Sequence, residues 1–146
     1  MRQERICSRS RGADEIDMVI NISALKNKDY EYVKEEIEEI RDAIDGKTLK
    51  VIVETSLLTD KELIKLIEIC NDTFVNYIKT CTGFNGKLDM DSIDIINKYK
   101  NELLEIKASG GIKDLKTVKK LMDKGVSKIG TSNGKIIMDE YLKEEV

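Results

Sequence analysis

The segment LKVIVETSLLTDKELIKLIEICNDTFVNYIKT, Leu49 to Thr80, holds one complete structural unit. Its two ends, LKVIVET (49–55) and FVNYIKT (74–80), are short runs of β-branched and aromatic residues, which suit strands. Between them, Thr59-Asp60-Lys61-Glu62 has the spacing of a helix-capping box and precedes the apolar pattern LIKLIEI. Strand, helix and strand in this order predict a parallel pair joined by a crossover helix.

The same alternation extends on both sides. Further strand-like runs are IDMVINI (16–22), LLEIKAS (103–109) and SKIGTS (127–132). In residues 29–45, Val33, Ile37, Ile40 and Ile44 recur at helical spacing. Asp89 is placed to cap a helix carrying Ile93 and Ile96. Asp114 is placed to cap one carrying Leu115, Val118, Leu121 and Met122, and a last helix is expected from Lys135 to Leu142. The aliphatic residues at these spacings are read as core, and the charges of EYVKEEIEEIRD as a solvated helix face. Five strand–helix units in one domain fit an open doubly wound sheet or part of a (β/α)8 barrel.

Composition narrows the chemistry. The chain has 146 residues, 25 basic and 28 acidic, with a net charge of −3. No basic footprint for nucleic acid is present, and no apolar run is long enough to span a bilayer. There is no histidine, so Ser-His-Asp and Cys-His catalysis and histidine metal sites are excluded. Cys7, Cys70 and Cys81 are too widely spaced for a zinc site and odd in number, which favours a reducing, cytoplasmic setting.

In parallel α/β folds, ligands bind beyond the carboxyl ends of the strands. Those ends carry Asn21, Glu54-Thr55, Lys79-Thr80, Lys107 and Gly130-Thr131-Ser132. Two glycine-rich turns, SGGI (109–112) and GTSNG (130–134), lie there, and backbone N–H groups in such turns bind anions. Strand alternation places Lys79 with Tyr77 on one face and Lys107 with Glu105, while Ile78, Ile106 and Leu104 face helices. If the two strands are neighbours, the lysines are about 4.8 Å apart at the backbone. Two adjacent ammonium groups repel, so one is expected to lose its proton more easily and become an amine nucleophile. Asp17, inside the first apolar run with Val19 and Asn21 on its face, is the candidate carboxylate for proton transfer.

The set GADEIDMVIN, LKVIVET, YIKTCTGF, IKASGGI and IGTSNG resembles the deoxyribose-phosphate aldolase family from about Gly12 to Ser132. The resemblance implies a class I, metal-independent Schiff-base aldolase on a TIM barrel that splits 2-deoxy-D-ribose 5-phosphate into D-glyceraldehyde 3-phosphate and acetaldehyde. By motif, Lys79 matches the Schiff-base lysine, Lys107 the second active-site lysine and Asp17 the catalytic aspartate. Lys50 matches a further lysine near the site. Phosphate contacts are expected from Gly83, Gly110, Gly111, Gly130, Thr131 and Ser132. Cys81 stands where Ser is usual, and Ser23 where Gly is common.

By the same resemblance, IDMVIN matches the fourth strand of the barrel. The expected fold is a partial (β/α)8 barrel of about five units over residues 12–146, N-terminally truncated. Residues 1–11, with Arg2, Arg5, Arg9 and Arg11, match nothing in the family and are read as a basic leader. The implied partner is a sugar phosphate. Exposed sheet edges are also expected to offer a surface for self-association. The alternative reading is an inactive phosphate-binding remnant, or a fragment that needs a partner chain to complete the barrel.

Overall fold

The computed structural model describes residues 12–144, so the leader 1–11 lies outside the described residues. Strands β1 (Glu15–Val19), β2 (Thr48–Ile52), β3 (Tyr77–Lys79), β4 (Glu105–Ser109) and β5 (Lys128–Gly130) alternate with helices. The helices are α1 (Ile22–Lys26), α2 (Tyr30–Ala43), α3 (Asp60–Asp72), α4 (Met90–Tyr99), α5 (Leu115–Asp123) and α6 (Gly134–Glu144). The strands form one parallel sheet in the order β1-β2-β3-β4-β5.

One face of the sheet is apolar. Ile16, Met18, Leu49, Val51, Ile78, Ile106 and Ala108 are buried against helix residues such as Val33, Ile37, Leu66 and Ile93. The period of two then directs Asp17, Lys50, Lys79 and Lys107 to the other face. A doubly wound sheet would cover both faces with apolar helices. Here the second face is charged, and it curls. Lys128 on β5 pairs with Glu15 on β1 at 2.7 Å. In a flat sheet these strands would be roughly 19 Å apart, four strand spacings. The sheet is therefore a curved wall, open between β1 and β5 among the described residues, as in a partial barrel.

The helix starts match their side-chain caps. Thr59 and Glu62 form both bonds of the capping box at α3. Asp89 caps α4 through the Asp91 N–H, and Asp114 caps α5 through the Thr117 N–H. Several expected boundaries are corrected. The strands are shorter than the apolar runs: β1, β2 and β5 stop before the runs end, and β3 and β4 begin after the runs begin. Asn21 does not continue β1: its side chain accepts the Ala24 N–H and starts α1, so Ile22 is helical. Glu54 takes a left-handed backbone (φ 53°) and leads into a 3-10 turn at Thr55–Leu57. At the other end of the sheet, Phe74 (φ 53°) and Leu103 are exposed rather than strand core. Met122 is also exposed, since only Leu115 and Leu121 of α5 are fully buried.

Candidate active site

Lys79 and Lys107 are register partners on adjacent strands, and both reach across the concave face to one carboxylate. Lys79 Nζ donates to Asp17 Oδ2 at 2.9 Å, and Lys107 Nζ lies 3.7 Å from the same oxygen. The other oxygen, Oδ1, accepts from Lys50 Nζ at 2.8 Å. Lys50 is only 2% exposed and also pairs with Glu15 Oε2 at 2.6 Å. The sequence-derived lysine pair, the aspartate and the further lysine thus meet in one cluster.

The electrostatics differ from the simple expectation of two repelling ammonium groups. Asp17 sits between them as a shared counter-ion. Burial raises the Asp17 pKa, but the bonds from Lys50 and Lys79 outweigh it and lower the pKa to about 2. Lys50 behaves conversely. Burial alone would lower its pKa, yet the bonds to Asp17 and Glu15 hold it above the ordinary lysine value. Lys107 is the lysine pushed down. Burial is the main cause, Asp17 opposes it, and the charges of Lys79 and Lys50 add to it.

Beside the cluster lies a cleft of about 330 Å³. Lys79 and Lys107 line it, together with Gly83, Gly110, Gly111, Gly130, Thr131 and Ser132. Asp17 and Lys50 sit behind this lining. Thr131 Oγ1 donates to the Ile112 carbonyl at 2.6 Å and accepts the Asn133 N–H at 2.9 Å, which ties the turn before α6 to the turn before α5. Both turns thereby lead into helix N-termini, a favourable setting for an anion. Gly110 has φ 110°, and a Cβ there would sit 3.1 Å from the Leu88 nitrogen and from Cys81 Cβ. Only glycine fits that turn without strain.

Sequence reasoning missed Lys113 and Thr82, which also line the cleft. Lys113 directly follows SGGI, so a cation beside the expected anion turn was a readable signal. Glu54 reads in sequence only as a strand-end residue; in the structure it is fully buried and accepts the Thr82 N–H. Cys81 is buried, and its Sγ lies 3.5 Å from Thr55 Oγ1. No group of three or more Cys, Asp or Glu side chains suited to a metal ion occurs among the described residues. No described helix is long and apolar enough to cross a membrane.

No family model matches the chain. Individual proteins do. It is 44% identical over 134 residues to the deoxyribose-phosphate aldolase of Metamycoplasma arthritidis, covering 91% of this chain and 62% of that one. It is 44% identical over 131 residues to that of Clostridium tetani, covering 88% and 61%. Among solved structures, the aldolase QR15 superposes with a TM-score of 0.93 at 37% identity, covering 99% of this chain and 66% of that one. Deoxyribose phosphate aldolase from Aeropyrum pernix, described as a unique tetramer, gives 0.85 at 27% identity, covering 99% and 61%. The chain spans about three-fifths of the length of the curated relatives it matches. Over the part of their length that it spans, the chain is similar in sequence and in fold to deoxyribose-phosphate aldolases.

Proposed function

We propose that this chain carries Schiff-base aldolase chemistry on 2-deoxy-D-ribose 5-phosphate. The observation that carries the reading is the convergence of Lys79 and Lys107 on Asp17 Oδ2 at the wall of a cleft ringed by glycine turns. The glycine turns and Thr131-Ser132 hold the phosphate end, and Lys79 meets the aldehyde carbon. The neutral amine adds to C1, and loss of water leaves an iminium ion. The C2–C3 bond then breaks. Its electron pair flows into the iminium to give an enamine, and the C3 hydroxyl releases its proton as it becomes the aldehyde of glyceraldehyde 3-phosphate. Protonation at C2 and hydrolysis release acetaldehyde and restore Lys79.

Roles for the neighbours follow from their pKa directions. Asp17, held at about 2, stays ionised through the neutral range. It orients the side chains of Lys79 and Lys107 and an attacking water rather than delivering a proton itself. Lys107, pushed below the ordinary lysine value by burial, gives up its proton more readily than a solvent-exposed lysine. The roles of Lys79, Lys107, Asp17 and the phosphate contacts, a reducing cytoplasmic setting, and operation without a metal are parts of this same proposal.

The test is trapping. Acetaldehyde and borohydride should leave a reduced adduct on Lys79, located by mass spectrometry of peptides, and none in Lys79→Arg. An unmodified Lys79, or equal labelling of the variant, would refute it.

A second reading is favoured by the open sheet. Strands β1 and β5 each have one strand neighbour among the described residues. A second polypeptide, including another copy of this chain, could pair with those edges. Size-exclusion chromatography separates the readings, and a single monomeric species that turns over substrate excludes the second.

A further inference from the structure

Glu54 is fully buried, two residues past the end of β2, in a left-handed backbone conformation. Its Oε1 accepts the Thr82 N–H, and its Oε2 has no hydrogen-bond partner among the described residues. A buried carboxylate with a single bond is costly, so its position calls for a compensating role. The carbonyl at the other end of that peptide, Cys81 O, accepts from Ser109 Oγ at 2.5 Å. The Cys81–Thr82 peptide plane is thus gripped at both ends, from the turn after β2 and from β4. Just before it, Thr80 Oγ1 exchanges bonds with Ser109, donating to its carbonyl at 2.8 Å and accepting its N–H at 3.0 Å. Just after it comes Gly83, which lines the cleft with Thr82. Downstream, Ser56 Oγ donates to Asn85 O at 3.0 Å, so the turn that begins at Glu54 holds the same loop twice.

We infer that Glu54 is a positioning residue: through the Thr82 amide it fixes the Cys81–Gly83 turn, and so sets how tightly the cleft holds the anionic end of its ligand. Its carboxylate bonds to the Thr82 amide and not to the Lys79 amine, which bonds to Asp17. Its effect therefore belongs in affinity for phosphate rather than in the chemical step. The kinetic part of the test rests on the aldolase reading above, whereas the amide part does not.

Three measurements decide it. In the unmodified chain, hydrogen exchange at the Thr82 amide should be at least about a hundredfold slower than in an unstructured peptide; fast exchange overturns the proposal even if no variant folds. In Glu54→Ala that protection should be lost. KM for 2-deoxyribose 5-phosphate should rise about tenfold or more, with kcat within threefold and turnover of unphosphorylated 2-deoxyribose little changed. Glu54→Gln keeps an acceptor for Thr82 and should restore KM to within threefold of the original. A fall in kcat with unchanged KM, or equal losses on both sugars, overturns the proposal. If the unmodified chain does not turn over the sugar phosphate, the aldolase reading fails. The inference is then read from inorganic phosphate binding, which should weaken about tenfold in Glu54→Ala and recover in Glu54→Gln. Equal affinity in all three proteins, or no phosphate binding by any, overturns it.

Discussion

Replacing Lys50 by Met removes the cation that holds Asp17 from behind. Lys50 is almost fully buried and binds Asp17 Oδ1 at 2.8 Å and Glu15 Oε2 at 2.6 Å. Methionine fills a similar volume and adds apolar burial, but both carboxylates lose their inner partner. Breaking a fully buried pair costs about 3–5 kcal/mol; water reaches both acids here, so a loss of about 1–2 kcal/mol at pH 7 is expected. The acid limb is the sharper readout. Asp17 falls from 3.8 to about 2 on folding. A depressed carboxylate contributes stability above its unfolded pKa and loses it as pH falls through the folded value. The window is therefore about pH 4 down to pH 2. At about 1.4 kcal/mol per pKa unit, the full contribution is at most about 2.4 kcal/mol, and solvent screening reduces it to about 1 kcal/mol. Among the groups that oppose burial, the Lys50 bond is the largest single lowering influence, while Lys79 acts through both its bond and its charge. Lys50→Met should make that decline shallower. Urea unfolding at pH 7, 4, 3 and 2 measures it. A variant as stable as the parent at pH 7, with the same decline between pH 4 and pH 2, would refute the claim that Lys50 anchors the carboxylate cluster.

Gly110→Ala should lower stability by about 1–3 kcal/mol, since the turn needs φ 110° and a Cβ would be crowded at 3.1 Å; thermal melts check this, and isothermal titration with inorganic phosphate should show weakened binding. Thr59→Ala removes one arm of the capping box and should cost about 1 kcal/mol in urea unfolding, with an unchanged m-value. Ile78→Ala should cost about 3 kcal/mol by the same measurement, because Ile78 is fully enclosed between sheet and helices. The Cys70 thiol is pushed up to about 12 by burial, so a thiol reagent at pH 8 should label it only on unfolding.

Much of this structure was legible in the residues. Ile78 and Ile106 flank lysines with period two, so the face carrying Lys79 and Lys107 could be derived without coordinates. Thr59, Asp89 and Asp114 marked their helix starts because a cap is a local interaction. Asn21 misled because it follows an apolar run, yet its side chain reaches three residues ahead to begin a short helix. Exposed Phe74 and Leu103 extend apolar runs past the ends of their strands, where hydrophobicity no longer reports pairing. The shared counter-ion could not be read locally, since Asp17 and Lys79 are 62 residues apart and meet only when the wall curls. Glu54 is the same case: its partner Thr82 lies on a different loop, and no spacing rule connects them.

The register sets Lys79, Lys107 and Lys128 side by side along three successive strands. Such a row is self-repelling, and like charges opposite one another weaken strand pairing. The first strand supplies a carboxylate for each of the three, Asp17 for Lys79 and Lys107, and Glu15 for Lys128. Assembly of the C-terminal half is therefore electrically coupled to the arrival of the N-terminal strand. A circular permutation or a transplanted segment that displaces residues 15–17 would have to bring two carboxylates back to the same places, or the later strands would meet as an uncompensated bank of positive charge.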